Sequence, residues 1–217
     1  MESSAVQSFD IVATELSNML RQKGIEISAL HKSRPLRQRT EDHQRQAIER
    51  AGRQLQQMEI TEGVLEEFEK FRILCHYHKV QPADPKVFTH ITRNSAWEIL
   101  DFNMNQLYRN DMLFKLGNYS IEEYEAYSPW ELFNRPQYVL GSLAETTIKL
   151  KQDKRMLSLE HIPSYVIEET LSEQRGQYRI KHTFACPLVC NSTNENTMFV
   201  SMFQAETLDP QRRVSIL

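Results

Sequence analysis

Apolar residues first recur along the chain with a helical period. Phe9, Val12, Leu16, Met19 and Leu20 fall three and four apart and Gly24 follows, which predicts an amphipathic helix over residues 8–23 with a glycine stop. A polar break containing Pro35 comes next. Thr40 then stands as the cap of a second helix, with Ile48, Ala51, Leu55 and Met58 as its apolar stripe. Thr61 is read as the cap of a third, on which Val64, Phe68, Phe71 and Cys75 line one side. Pro82 and Pro85 end this pattern, because proline lacks an amide proton and biases the preceding residue toward extended backbone. The expected division is a helical region over 1–81, a mixed domain over 86–207 and a tail over 208–217, where Asp209-Pro210-Gln211-Arg212-Arg213 reads as a frayed end or linker.

Beyond the prolines the period falls to two. Tyr178, Ile180, His182 and Phe184 alternate with Arg179, Lys181, Thr183 and Ala185, the pattern of a strand with one buried face. A polar loop from Cys190 to Asn196 separates it from a second apolar run, Met198 to Ala205, so the pair predicts a long antiparallel hairpin. Upstream, the sequence predicts short strands over Trp97–Phe102 and up to Tyr108-Arg109-Asn110, then a helix leading to Leu116. A small helix near Ser128–Phe133, a longer one over Pro136–Lys151 and strands near 156–168, 177–190 and 197–206 complete the reading. Gly117 supplies a turn that residues with a Cβ resist, and Ser120 with Glu123 three residues on forms a capping box. The expected class is α+β, an antiparallel sheet with flanking helices preceded by a helical region.

The string Asn110, then Leu116-Gly117-Asn118-Tyr119-Ser120-Ile121-Glu122-Glu123-Tyr124, together with this order of elements, resembles a PAS domain over a little over half the chain. Asn118 is one residue more than the family's turn carries. The resemblance implies a sensory or interaction module, a space for ligand between sheet and helices, and pairing into homodimers with help from flanking helices. In that frame a pocket would be lined by Phe102, Tyr108, Leu113, Leu116, Tyr119, Trp130, Phe133, Leu140, Leu143, Ile180, Phe184 and Met202. The same residues would serve an ordinary filled core, and nothing polar among them converges, so a filled core is the expectation. No cofactor is expected. Ser128-Pro129-Trp130-Glu131-Leu132-Phe133 stands where flavin-binding relatives carry a reactive cysteine, and Pro136–Lys151 holds no histidine for a haem iron. His161 and His182, both placed on strands, read as hydrogen-bonded or surface residues.

The composition, 217 residues with 40% apolar and 25% charged, is that of an ordinary folded protein. The net charge of −3 hides a basic block: Arg21 to Arg53 holds nine basic residues against four acidic ones. Arg34, Arg37, Arg39, Arg45, Arg50 and Arg53 are therefore candidates for a nucleic-acid surface, although a solvated helix face of mixed charge is the simpler reading. Ile27-Ser28-Ala29-Leu30 and Ala47-Ile48-Glu49-Arg50-Ala51-Gly52 are similar to parts of a repressor-type helix-turn-helix. Cys75, Cys186 and Cys190 are an odd number, which predicts free thiols. His76 and His78 fall on different faces of a helix, so no metal site is expected. No run of eighteen apolar residues and no secretory signal occurs, which predicts an intracellular protein, cytoplasmic or nuclear, without a membrane partner.

No nucleophile motif, phosphate loop or dinucleotide turn is present, so no enzyme and no catalytic residue is expected. The functional expectation is a PAS-domain regulatory protein of transcription or signalling, acting by homodimerisation and by contacts with other regulatory proteins. Two alternatives stand beside it. One is a DNA-binding factor with an N-terminal helix-turn-helix and a PAS-like sensor. The other is a small-molecule enzyme on a cone-shaped barrel of the nuclear-transport-factor type, which would show ionisable groups converging in a cavity.

Overall fold

The computed structural model describes residues 4–172 and 175–208; the proposed linker at 209–213 lies outside them. Helix α1 spans Ser4–Gln22 and buries Phe9, Ala13, Leu16 and Leu20, one residue per turn. Gly24, at φ +74, ends it: its amide donates to Arg21 O at 2.9 Å and that of Ile25 to Leu20 O at 3.0 Å, satisfying two carbonyls that a helix end leaves open. Helix α2 spans Glu41–Ile60, with Thr40 Oγ1 accepting from His43 N at 3.3 Å. Ala47 and Ala51 face α1 within one apolar cluster, and their small side chains leave room for close packing. Thr61 does not start the next helix as expected. Its hydroxyl donates to Gln57 O at 2.8 Å and closes α2, and a turn through Gly63 at φ +75 delays α3 to Glu67–Tyr77. The buried side of α3 is accordingly Phe71, Leu74 and Cys75, while Phe68 is exposed.

In chain order there follow β1 (Val80–Pro82), α4 (Val87–His90), β2 (Ala96–Asp101), β3 (Gln106–Arg109), α5 (Asp111–Lys115), α6 (Ile121–Ala126), α7 (Pro129–Leu132), β4 (Phe133–Asn134), α8 (Gln137–Gln152), β5 (Leu157–Ser158), β6 (Tyr165–Glu169), β7 (Gln177–Cys190) and β8 (Asn196–Thr207). The strands form one antiparallel sheet in the order β3-β2-β8-β7-β6-β4. Strand β7 carries β8 along one edge, and along the other it pairs in succession with β6, β5 and β1. The strand expected over 156–168 is thus two strands, split by a turn closed by Ile162 N and Leu159 O. His161 sits in that turn, exposed, and not on a strand.

The hairpin β7–β8 contains an irregularity that decides which residues face where. His182 pairs with Phe203 but Phe184 with Met202, so Thr183 is extra. One inserted residue exchanges the faces of everything beyond it. Before Thr183 the even positions Ile180 and His182 look toward α8; after it Ala185 does, and Phe184 and Cys186 turn to the opposite face. The expected alternation therefore holds through His182 and fails at Phe184.

Both sheet faces are covered. On one, Trp97, Ile99, Tyr108, Leu188 and Met202 pack against Phe71 and Leu74 of α3 and Val87 of α4. On the other, Ala96, Ile180 and Phe203 pack with Leu116 and Val139, and Phe199 packs with Leu150. A third cluster joins α1 and α2 to Phe114, Tyr119, Ile121 and Tyr124. Apolar packing thus runs across the position expected as the domain boundary.

Candidate ligand cavity

Asn110 and the capping box fix the segment that roofs the sheet. Asn110 Oδ1 accepts from Trp97 N at 3.2 Å and its Nδ2 donates to Ser95 O at 2.8 Å, so one side chain ties the start of α5 to β2. Ser120 Oγ accepts from Glu123 N at 3.2 Å, and Glu123 Oε2 accepts from Ser120 N at 2.8 Å. Gly117 stands at φ +88, and a Cβ there would meet Tyr124 Oη at 2.9 Å. Glu169 accepts from Asn118 Nδ2 at 2.8 Å and from Gly176 N at 2.9 Å, which pins the turn to β6.

Between this roof, α8 and the inner sheet face lies a cavity of about 130 Å³. Of the twelve expected lining residues, Leu113, Leu116, Trp130, Phe133, Leu143 and Ile180 line it. The other six do not. Tyr108, Phe184 and Met202 belong to the opposite face, where Tyr108 packs at a tilt against Trp97 and Phe184 stacks on His90. Tyr119 is in the cluster under α1 and α2, Phe102 packs on Phe199 beyond the end of β2, and Leu140 is half-buried on α8.

Polar groups do converge on the cavity, contrary to the expectation of a purely apolar core. Glu98, Gln106, Arg109, Arg135, Tyr165, His182 and Ser201 all contribute to its wall. His182 Nε2 lies 2.8 Å from Tyr165 Oη, and its Nδ1 is buried without a partner. Burial, and then the charge of Arg135, push the His182 imidazole down to about 4, so the ring is neutral. Burial pushes the Tyr165 phenol up to about 12. Arg135 donates through Nη1 to Pro129 O at 2.6 Å and to Phe133 O at 3.1 Å, and its guanidinium lies 5.0 Å over the Trp130 ring. Burial lowers its pKa, and among the described residues it has no carboxylate at ion-pair distance. Burial raises the Glu98 carboxyl, which accepts a hydrogen bond from Gln106 Nε2.

From Glu98 a polar chain leaves the cavity. Gln106 Oε1 accepts from Arg109 Nε, Arg109 Nη1 donates to Glu125 at 2.9 Å, and Glu125 accepts from Arg50 of α2 at 2.9 Å. The residues of this site are far apart in sequence, and each reads singly as an isolated polar position on a strand or turn. Only the even parity of His182 on β7 marked any of them as inward.

Much of the basic block is paired within the chain. Arg34 pairs with Asp10 and with buried Glu122, Arg39 with Glu131 at 3.1 Å, Arg45 with Asp42 at 2.6 Å and Arg50 with Glu125. Arg53 lies near His78 and Arg37 is exposed on the 3-10 turn Pro35–Gln38. Arg34, Arg39, Arg45 and Arg50, expected at nucleic acid, thus hold carboxylates of the same chain. Of the two strings similar to a helix-turn-helix, Ile27–Leu30 is not helical and accepts through Ser28 O from Ile121 N at 2.9 Å, and Ala47–Gly52 lies inside α2. No helix among the described residues is long and apolar enough to cross a membrane.

No family model, no curated protein and no solved structure matches this chain.

Proposed function

We propose that the chain is a PAS-like regulatory module that senses a small molecule in the cavity and passes its occupancy to the N-terminal helices through protein contacts. Support for the PAS-like reading comes from the order of elements: two short strands, three short helices, one longer helix and a closing run of strands. The observation that carries the sensing function is the donor end of the cavity, where Arg135 has no carboxylate at ion-pair distance among the described residues and His182 Nδ1 has no partner. A buried polar atom left open, here His182 Nδ1, costs about 1–3 kcal/mol, and a ligand that satisfies it recovers that cost on binding. The chain Glu98–Gln106–Arg109–Glu125–Arg50 supplies a route from the wall of the cavity to α2.

Methyl NMR on the full chain tests the sensing step: a ring-sized neutral probe such as benzyl alcohol should shift the Ile167 and Ile180 methyls, which line the cavity. If no ring-sized probe shifts them, the sensing function is lost. Homodimerisation through the flanking helices, with other regulatory proteins as further partners, belongs to the same reading. Ile60, Leu65 and Phe68, exposed at the connection of α2 to α3, are the side chains a second copy would cover. Light scattering on the full chain should give twice its 25.6 kDa mass; a monomer at high concentration removes that part.

The enzyme reading is favoured by one observation, that Glu98 and His182 share the cavity. Register argues against a direct acid–base pair. Glu98 pairs with Ser201 on β8 while His182 pairs with Phe203, which puts the two strands β2 and β7 about 10 Å apart across β8, beyond hydrogen-bond reach.

A further inference from the structure

Resting on the reading of the cavity as a ligand site, we propose that its ligand is a small aromatic carboxylate, with one ring in the apolar chamber and the carboxylate between Arg135 and His182. Size sets the body of the ligand. An apolar cavity of roughly 150 Å³ takes up benzene, and this one has about 130 Å³. Phe133, Phe199 and Phe203 in its wall offer faces and edges to an aromatic ring.

Proton bookkeeping sets the head. A guanidinium only donates, and the charge of Arg135 beside the Tyr165 phenol favours that oxygen as an acceptor. Tyr165 then gives its own proton to His182 Nε2, 2.8 Å away. The neutral ring keeps its one proton on Nδ1, the atom left without a partner. This end of the cavity therefore presents donors, the remaining Arg135 N–H groups and His182 Nδ1–H. A carboxylate is the acceptor-only group that matches them, and it would stand at ion-pair distance from Arg135, which Glu98, acting on it from across the wall, does not. Glu98 is the opposing charge in the wall. Burial moves it toward its protonated form, which weakens its repulsion of an incoming anion.

The experiment compares benzoate with benzyl alcohol at neutral pH on the full chain, following the Ile167 and Ile180 methyls. Benzoate should bind at least about tenfold more tightly, since a charged hydrogen bond to guanidinium is worth that much or more. Arg135→Gln should abolish this preference and leave benzyl alcohol unchanged, which also reports an intact cavity. If Arg135→Gln fails to fold, Arg135→Lys should keep the charge but lose the fork, weakening benzoate about tenfold with benzyl alcohol unchanged. Equal or tighter binding of benzyl alcohol, or a benzoate affinity indifferent to both substitutions, overturns the carboxylate assignment and leaves the cavity as a site for neutral ligands. Failure of both probes to shift these methyls overturns the assignment and the sensing function together.

Discussion

The side-chain amide of Gln54 binds the backbone of Arg109 in both directions, accepting from its N and donating to its O, each at 2.9 Å. Arg109 lies in β3, the strand at one end of the sheet, and an end strand presents unpaired backbone groups. A single glutamine on a helix here stands in for the next strand. Gln54→Leu keeps the volume and removes both bonds, leaving a buried amide and carbonyl open. The expected loss is about 1–3 kcal/mol, read as a lower urea midpoint at unchanged slope. A loss under about 0.5 kcal/mol would mean that water replaces the clamp.

Two glycines should respond to alanine with opposite sign. Gly117 stands at φ +88 and its new Cβ would meet Tyr124 Oη at 2.9 Å, so Gly117→Ala should destabilise by about 1–3 kcal/mol. Gly141 lies on the exposed side of α8 with nothing within 4 Å of a Cβ. Gly141→Ala should stabilise by about 0.5–1 kcal/mol. Thermal unfolding of both variants checks the pair, and a shift of the same sign in both would refute the conformational argument.

Acid should destabilise the fold in a defined window. Burial first, and then Arg135 and Arg53 respectively, push His182 and His78 down to about 4 from the ordinary 6.5. The unfolded chain therefore takes up protons, as pH falls below about 6.5, that the folded chain refuses until about 4. The stability these neutral rings contribute is complete above about 6.5 and is lost as pH falls toward 4. At about 1.4 kcal/mol per pKa unit, the loss approaches ~3 kcal/mol for each ring. His182→Phe should flatten its share of the decline between about pH 7 and about pH 4.5; an unchanged slope in urea titrations would remove His182 from this account.

The three thiols should react in two classes. Cys75 and Cys186 are buried, and burial pushes them up to about 12 and about 11. Cys190 sits at the end of β7, and the Ser192 hydroxyl 3.2 Å away, followed by the Thr193 backbone, lowers it to about 6. At neutral pH the thiolate is the reactive form. Iodoacetamide should add once to the native protein, at Cys190, and to all three thiols in denaturant. Peptide mass mapping checks this, and native labelling at Cys75 would contradict the burial.

Local signals were legible in the sequence, and assembled ones were not. Thr40, Ser120 with Glu123, Gly24 and Gly117 each act through neighbours a few residues away, so spacing alone revealed them. Thr61 misled because a threonine hydroxyl can serve either end of a helix, and the glycine two residues on decided which. Phe184 was assigned to the wrong face because strand parity holds only until a residue is inserted, and Thr183 has no property that marks it as the insertion; Met202 sits in a run that is apolar on both faces, so the pattern of β8 does not say which face it takes. Arg50 read as a surface charge because its partner, Glu125, is 75 positions away. His182, Tyr165 and Arg135 meet only after β6, β7 and the β4–α8 junction have been brought together.

The strand order carries a consequence for a chain made from its N-terminus. Strand β2 pairs with β3 on one side and with β8 on the other, and β8 comes after both, as the last of the described strands in chain order. Until it emerges from the ribosome, β2 and β3 are a two-stranded ribbon, which is marginal on its own in water. The pairings that close the sheet join distant parts of the chain and pay their loop entropy late. Trp97 and Ile99 must therefore wait under α3 for Val200 and Met202, which leaves this part of the nascent chain most exposed to aggregation until β8 arrives.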